Sequence, residues 1–286
     1  MKKNICLLFV LFFVLEVGIF SAPLKNDIML SLREKQIQDL SLTGLSLVFY
    51  VNISNLSSRP YTLSGYNYRF MVQETEYLRL QMPMEEGLRI NAAAEVLIAL
   101  PVKITYEHLF KAVNGVSDEV KAGCYLMGEL LFSDGKKQRG GLPIAFSWEF
   151  PIFKRPEIEL LTLETHDLTI GGADLSFEAK IKNKNGFDLI IDRISYSLAL
   201  EGHKIDQGNI GGNKNIDQKG DKVFPLRILL NFFEVSKELH SRLQESVVLC
   251  QFSGEIEVKT AWGKTLISFD KSKRIPISRS PLSFVR

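Results

Sequence analysis

Histidine is the residue type best suited to metal or acid–base chemistry in this chain of 286 residues, and it occurs four times. His108, His166, His203 and His240 are scattered, and none has a second ligand at the spacing of a zinc site or an HExxH motif. A GxSxG turn, a phosphate-binding loop and a GxGxxG turn are also absent. The sequence therefore predicts no catalytic, metal-binding or cofactor-binding residue, no cofactor, and no enzyme activity.

Cys124 and Cys250 are the two cysteines that follow the N-terminal segment, and they lie 126 positions apart. Each opens the same pattern, Cys-x-x-x-Gly-Glu, which places Gly128 and Gly254 at matching positions. Equivalent positions of two separately packed units are normally too far apart for a disulfide, which needs Cα atoms within about 7 Å. We therefore expect two buried thiols that pack as small apolar groups. The alternative is an inter-domain disulfide.

Two acidic residues also recur, Asp39 and Asp167, each two positions before a hydroxyl residue, Ser41 or Thr169. A repeated carboxylate can mark a catalytic site. One carboxylate per unit, directly before a strand, is more typical of a turn or a capping group. We expect a structural role for both.

Tyr66, Tyr68 and Phe70 form an aromatic stripe that could stack on sugars or bases. The stripe follows the two-residue period of a strand with aliphatic neighbours, so we expect it to pack in the core. Asn52 and Asn55 begin glycosylation motifs by pattern only, which would matter in a eukaryotic secretory route.

The segment Asp39–Tyr68 returns without a gap as Asp167–Tyr196, 128 positions later. The segment Leu40–Ile53 alternates between apolar and polar residues, which predicts a half-buried strand, and its copy follows the same pattern. Short strands separated by turn signals predict an all-β fold of two tandem antiparallel sandwiches. The linker is placed at Phe150–Pro156, where two prolines stiffen the chain. The predicted domains are residues 23–152 and 153–286.

Several segments depart from the strand pattern. Asn26–Gln38 is a mixed lead-in, and Glu85-Glu86-Gly87 and Asp134-Gly135 predict turns. The polar segment Gly208–Asp221 predicts a long loop. Helical spacing predicts one short helix per unit, within Tyr106–Val120 and Phe233–Val248, the second with Ser236 as its cap, and Pro101 should lie at a sheet edge or a strand end.

The N-terminal segment differs from the rest of the chain. Lys2 and Lys3 precede an apolar run, Ile5 to Phe20, that is followed by Ser21-Ala22. This order predicts a secretory signal peptide over residues 1–22 and an exported protein, periplasmic or secreted. The alternative is an uncleaved anchor, the only route by which we expect membrane attachment. A formal net charge of +2 gives no reason to expect a nucleic-acid partner.

The repeated unit resembles the WHy (water stress and hypersensitive response) domain of the type-2 late embryogenesis abundant family. The resemblance rests on the order of strands and on the turns Asn55-Leu56-Ser57 and Asn183-Lys184-Asn185, which keep the leading Asn of the family's Asn-Pro-Asn-like turn but lack its proline. It implies an immunoglobulin-like or fibronectin-III-like sandwich with one helix. It also implies a non-enzymatic role in protecting proteins or membranes under stress.

Two functions follow as expectations. The first is an exported, non-catalytic protein that protects client proteins under stress or forms a structural module of the cell envelope. The second is a protein- or glycan-binding adhesion module that uses sheet edges or the 208–221 segment.

Overall fold

The computed structural model describes residues 24–134, 138–235 and 237–279. The predicted signal peptide at residues 1–22, the glycine of the Asp134-Gly135 turn, the predicted cap Ser236 and the C-terminal tail from residue 280 lie outside the described residues. The described chain is mostly β-strand, so the prediction of an all-β fold is confirmed.

Seven strands and two short helices lie in the described part of the first half. The strands are β1 (Ile28–Gln38), β2 (Gly44–Asn55), β3 (Tyr61–Val72), β4 (Thr75–Ile90), β5 (Glu95–Thr105), β6 (Lys121–Ser133) and β7 (Gln138–Pro151). The helices are α1 (Leu24–Asp27) and α2 (Tyr106–Ala112), and a 3₁₀ turn follows at Val116–Asp118.

The residues described in the second half form seven further strands and one helix. The strands are β8 (Glu157–Leu168), β9 (Gly172–Lys182), β10 (Leu189–Leu200), β11 (His203–Ile216), β12 (Asp221–Asn231), β13 (Val247–Thr260) and β14 (Gly263–Arg279). The helix is α3 (Lys237–Arg242).

Strand pairing in the second half repeats that of the first. The first half forms a three-stranded sheet, β1-β2-β5, and a four-stranded sheet, β4-β3-β6-β7. The second half has the corresponding orders β8-β9-β12 and β11-β10-β13-β14. A short parallel pairing of Ile277–Arg279 with Leu163–Thr165 joins these two groups into one seven-stranded sheet.

Alternation along the strands buries one face of each sheet. In the first half, Phe49 on β2 packs against Phe146 and Trp148 on β7, with ring centroids 6.1 and 5.8 Å apart. In the second half, Phe177 on β9 meets Phe252 on β13 at 5.4 Å. In each half, these ring contacts join the three-stranded group to the four-stranded group.

Three sequence interpretations were wrong, all at sheet edges. The lead-in is strand β1, and Gly208–Asp221 is not a loop, because it contains the end of edge strand β11 and a tight turn before β12. Glu85-Glu86-Gly87 is not a hairpin turn but part of a bulge in edge strand β4, where the pairing shifts between Leu63 and Gly65. Exposed edge strands lack a strict apolar alternation, and bulges use the same residue types as turns.

Both predicted helices are shorter than the apolar spacing suggested. Helix α2 ends at Ala112, and Gly115 adopts a left-handed φ of 76° before the 3₁₀ turn. Helix α3 spans only Lys237–Arg242, because Val247 already belongs to β13. Pro101 is exposed on edge strand β5, as predicted.

The repeated asparagines close equivalent turns. The buried Asn55 side chain donates to the carbonyls of Arg59, Ile90 and Asn91, at 2.8, 3.3 and 2.9 Å. Its Oδ1 accepts from the Ser57 backbone N–H at 3.0 Å. Each asparagine satisfies backbone groups that would otherwise be buried without partners.

Asn183 makes the matching set of bonds in the second half. Its Nδ2 donates to the carbonyls of Phe187, Ile216 and Asp217, at 2.7, 3.2 and 3.0 Å. Its Oδ1 accepts from the backbone and side-chain N–H groups of Asn185, at 2.9 and 3.0 Å. The structural role predicted for the turn asparagines is therefore confirmed.

Candidate ligand site at the junction of the two halves

The segment between β7 and β8 makes specific hydrogen bonds to both halves. The Tyr106 hydroxyl on α2 donates to the Pro151 carbonyl at 3.3 Å and accepts from the Phe153 N–H at 2.9 Å. From the second half, Asn185 accepts from the Lys154 N–H at 2.6 Å and donates to the Lys154 carbonyl at 2.9 Å. The junction is thus fixed by buried, directional contacts rather than by chain connectivity alone.

A cavity of about 500 Å³ opens at this junction. It is lined by residues from both halves, which come from strand ends and turns: Ile37, Lys121, Trp148, Glu149, Pro151, Gly186, Phe187 and Trp262. Gly186 lies close to the first half, because a Cβ added to it would be 3.2 Å from a methyl carbon of Val120. The cavity is therefore formed only when the two halves are docked.

Aromatic rings form much of the cavity wall. Phe187 and Trp262 meet edge to face, at 88° and 5.2 Å between centroids. Phe187 also stacks on Phe153 at 5.7 Å between ring centroids, and Trp148 packs edge to face against Phe49. These contacts restrict the rings to one orientation, so a ligand would meet a preorganised apolar surface.

Two side chains of opposite charge complete the lining. Lys121 and Glu149 are both exposed, and within the described part of the chain neither has an ion-pair or side-chain hydrogen-bond partner. A second lysine is nearby, because the Lys35 ammonium lies 5.8 Å from the ring centroid of Trp148 and donates to the Ser147 carbonyl at 3.0 Å. The polar groups can therefore donate and accept hydrogen bonds at the mouth of an aromatic cavity.

A second concave surface lies on the four-stranded sheet of the first half. Two adjoining hollows of about 500 and 560 Å³ share Asn67 and Gln81. Asn67 donates to Glu129 at 2.8 Å, and in the next row Arg69 pairs across the strands with Arg79, which makes two hydrogen bonds to Glu76. Arginine, asparagine and glutamine line this surface, which lacks the tryptophans of the junction.

The structure confirms that both cysteines are buried free thiols. Burial raises the pKa of Cys124 and of Cys250 to about 12, so neither is a thiolate at neutral pH. The repeated glycines of the same motif allow close strand packing, because a Cβ on Gly128 or Gly254 would lie 2.0 Å from the carbonyl oxygen of Asn67 or Ser195. The shared motif is therefore a packing motif.

Asp39 lies in the connection between β1 and β2 and Asp167 lies near the end of β8, and their neighbours supply the hydrogen bonds of the two turns. Asp39 adopts a left-handed φ of 54°, and Asp167 lies beside a register shift in β8. The Ser41 hydroxyl donates to the Gly44 carbonyl at 3.2 Å, and the Thr169 hydroxyl donates to the Gly172 carbonyl at 3.1 Å, each three residues further along the chain. The predicted turn position is correct for Asp39 but wrong for Asp167, which is paired with Asp174 within the β-sheet, and hydroxyls rather than carboxylates close these turns.

The aromatic stripe divides between core and surface. Tyr68 and Phe70 are buried, and the Tyr68 hydroxyl donates to the Pro101 carbonyl at 2.5 Å. Tyr66 is only half-buried and lines one hollow of the sheet face. Core packing is therefore correct for Tyr68 and Phe70, and Tyr66 packs against the core from its edge, stacked on Tyr68 at 6.0 Å between ring centroids.

The histidines lie in separate parts of the fold. His108 packs against Tyr77 and His240 against Phe232, at 4.8 and 5.4 Å between ring centroids. Across residues 24–134, 138–235 and 237–279, no group of three His, Cys, Asp or Glu side chains could hold a metal ion. Over the same residues, every helix is too short or too polar to cross a membrane.

Residues 178–273 match the family model described as late embryogenesis abundant protein. This part of the chain is therefore similar to late embryogenesis abundant proteins. The match covers β10 to β13 in full and includes the Asn183 turn, Cys250 and Trp262. No curated protein sequence matches the chain.

Solved structures show only distant likenesses. A protein from Archaeoglobus fulgidus is 10% identical with a TM-score of 0.28, over 43% of this chain and 97% of that one. Red sea bream transglutaminase is 11% identical with a TM-score of 0.28, over 89% of this chain and 32% of the enzyme. The YadV chaperone is 12% identical with a TM-score of 0.22, over 86% of this chain and all of the chaperone.

The junction site was missed by sequence reasoning. Trp148, Phe187 and Trp262 lie on three separate segments and have no common spacing. One signal was available: the chain has only two tryptophans, and both line this cavity.

Proposed function

We propose that the chain is an exported, non-catalytic protein of late embryogenesis abundant type that protects client proteins or envelope components under stress. The observation that carries this proposal is the family match over residues 178–273. Export rests on the apolar segment at residues 1–22, and the absence of a catalytic role rests on the lack of any catalytic motif in the sequence.

We further propose two tandem WHy-like sandwich domains, at residues 23–152 and 153–286. The repeated strand order of the two halves supports this division, since each half has seven strands in groups of three and four. The equivalent turns at Asn55 and Asn183 support it as well.

Protection by contact requires a surface that a partly unfolded client can use, and the second half exposes one. Ile170, Leu229 and Phe233 are 86, 76 and 73% exposed. Ile170 and Phe233 are brought together because the Phe232 N–H donates to the Gly171 carbonyl at 3.0 Å, and Leu229 lies near the end of β12, opposite Asp174 on β9. We name these three residues the apolar tip. Clustered exposed apolar residues mark interaction surfaces.

The experiment measures the activity of a labile enzyme after drying or freezing, with the protein or serum albumin added at equal mass. The protein should preserve more activity than albumin. Replacing Ile170, Leu229 and Phe233 together by serine should remove most of that difference, because the apolar contact surface is lost while the fold is retained.

Leu266→Ser is the matched control, since Leu266 is a single exposed leucine, 54% accessible, on β14. It should protect like the parent. Protection no better than albumin would contradict the function, whereas full protection by the triple variant would contradict only the role of the apolar tip.

The second candidate function is a protein- or glycan-binding module. The aromatic cavity at the junction favours it, since ligand sites form preferentially between domains. The 208–221 segment is part of an edge strand and its turn, so deleting it would remove sheet pairing rather than a binding loop. The edge strands β4 and β11 both contain bulges, which disfavour pairing with a strand of another molecule.

A further inference from the structure

We propose that the junction cavity binds a neutral carbohydrate, with sugar rings packed against Trp148 and Trp262 and hydroxyls bonded to Lys121 and Glu149. This inference rests on the second candidate function, that of a binding module, and is independent of protection through the apolar tip.

The shape and walls of the cavity suit a short oligosaccharide. Its volume of about 500 Å³ lies within the range of about 300–1,000 Å³ typical of ligand pockets. The faces of aromatic rings carry partial negative charge and attract the weakly positive C–H groups of a pyranose. Phe187 and Trp262 form a rigid right-angled corner, and Trp148 contributes a further ring from the other half.

The charges at the mouth select against simple ions. Lys121 attracts an anion that Glu149 repels, and Glu149 attracts a cation that Lys121 and Lys35 repel, so the attraction of each charge for a simple ion is opposed by another charge. An ammonium group only donates hydrogen bonds and a carboxylate only accepts them. A neutral polyol satisfies both, because each hydroxyl donates and accepts.

The positions equivalent to Trp148 and Phe187 in the opposite halves of the repeat are not aromatic. Trp148 faces Cys124 across β6 and β7, and the residue that faces Cys250 is Lys273. The Phe187 carbonyl accepts a hydrogen bond from Asn183, and in the first half the equivalent carbonyl, which accepts from Asn55, belongs to Arg59. Only the junction combines these aromatic residues, so they are not required by the shared strand framework.

Tryptophan fluorescence reports this cavity directly, because both tryptophans of the chain line it. The intact chain is titrated with cellotetraose, maltotetraose and chitotetraose, and binding is confirmed by calorimetry. We expect at least one sugar to shift the emission and bind with a millimolar or tighter Kd. Choline and citrate, as a simple cation and a simple anion, should leave the emission unchanged.

Trp262→Ala and Glu149→Gln should each weaken sugar binding by about tenfold or more, while Tyr125→Ala, at an exposed position on the four-stranded sheet, should not. Circular dichroism verifies that each variant is folded. The proposal is overturned if no sugar binds, if Trp262→Ala binds as the parent does, or if choline, citrate or a proline-rich peptide binds in place of the sugars. Enzyme protection by the same preparations reports the stress function separately.

Discussion

Replacing Asn183 by alanine should destabilise the second half and loosen the junction. Asn183 is fully buried and makes five hydrogen bonds, three donated to backbone carbonyls and two accepted from Asn185. Alanine removes all five and leaves the buried groups without partners. Asn185 in turn bonds to both backbone groups of Lys154, so the change extends to the segment that joins the halves.

The magnitude follows from the number of groups left unpaired. Each buried polar group without a partner costs about 1–3 kcal/mol, and relaxation or entry of water recovers part of this cost. A net loss of about 4 kcal/mol is expected. At about 2–4 °C per kcal/mol for domains of comparable size, the first unfolding transition should fall by roughly 8–16 °C.

Differential scanning calorimetry of the whole chain measures this shift, and tryptophan emission follows the junction in the same samples. Asn209→Ala is the matched control, because Asn209 is an asparagine on β11 whose one described side-chain bond is exposed, to the Ser195 hydroxyl at 2.7 Å. It should lie within about 0.5 kcal/mol of the parent. A midpoint for Asn183→Ala within 2 °C of the parent would refute the structural role assigned to this side chain.

Three further predictions concern the repeated Cys-x-x-x-Gly-Glu motif. Gly254→Ala should cost about 3 kcal/mol or more in urea unfolding, because the new Cβ would lie 2.0 Å from the Ser195 carbonyl oxygen; a cost below 1 kcal/mol would contradict the close approach. Cys124 and Cys250 should react with a thiol reagent only after denaturation, and recovery of no thiol in denaturant would instead indicate a disulfide. The raised pKa values of the two thiols mean that both stay protonated in the folded state, whereas the unfolded state loses these protons above pH 9. The free energy of unfolding should therefore fall by about 2 kcal/mol between pH 9 and pH 10. In urea unfolding, a variant with both cysteines changed to alanine should lack this decrease.

The core of the fold was predictable because burial imposes a period of two. The gapless repeat of Asp39–Tyr68 identified β2 and β3 and their copies, and matching positions identified both core thiols. Edge strands were less predictable, because an edge is paired on one side only and tolerates polar residues and bulges. The sequence pattern of β11 is therefore the pattern of a loop, although β10 pairs with it along its length.

The junction site could not be predicted from local spacing. Trp148 lies on β7, Phe187 lies in the turn between β9 and β10, and Trp262 lies in the turn between β13 and β14. Only docking of the two halves brings these residues together. Their relative placement depends on the bonds of Asn185 to Lys154 and of Tyr106 to Phe153. These are tertiary contacts between residues more than 30 positions apart, and no periodicity encodes them.

The repeat itself separates positions that build the framework from positions that distinguish the two halves. Asn55 and Asn183 are examples of repeated residues that are buried and form hydrogen bonds with backbone groups. Ile170 of the apolar tip matches Leu42, but the halves differ at Leu229, which faces Asp174 on β9, whereas Lys103 faces Ser46 at the matching place on β2. Lysine there shows that the fold does not require an exposed leucine. For unrepeated apolar residues on the surface, contact with another molecule is therefore a simpler explanation than a requirement of the fold.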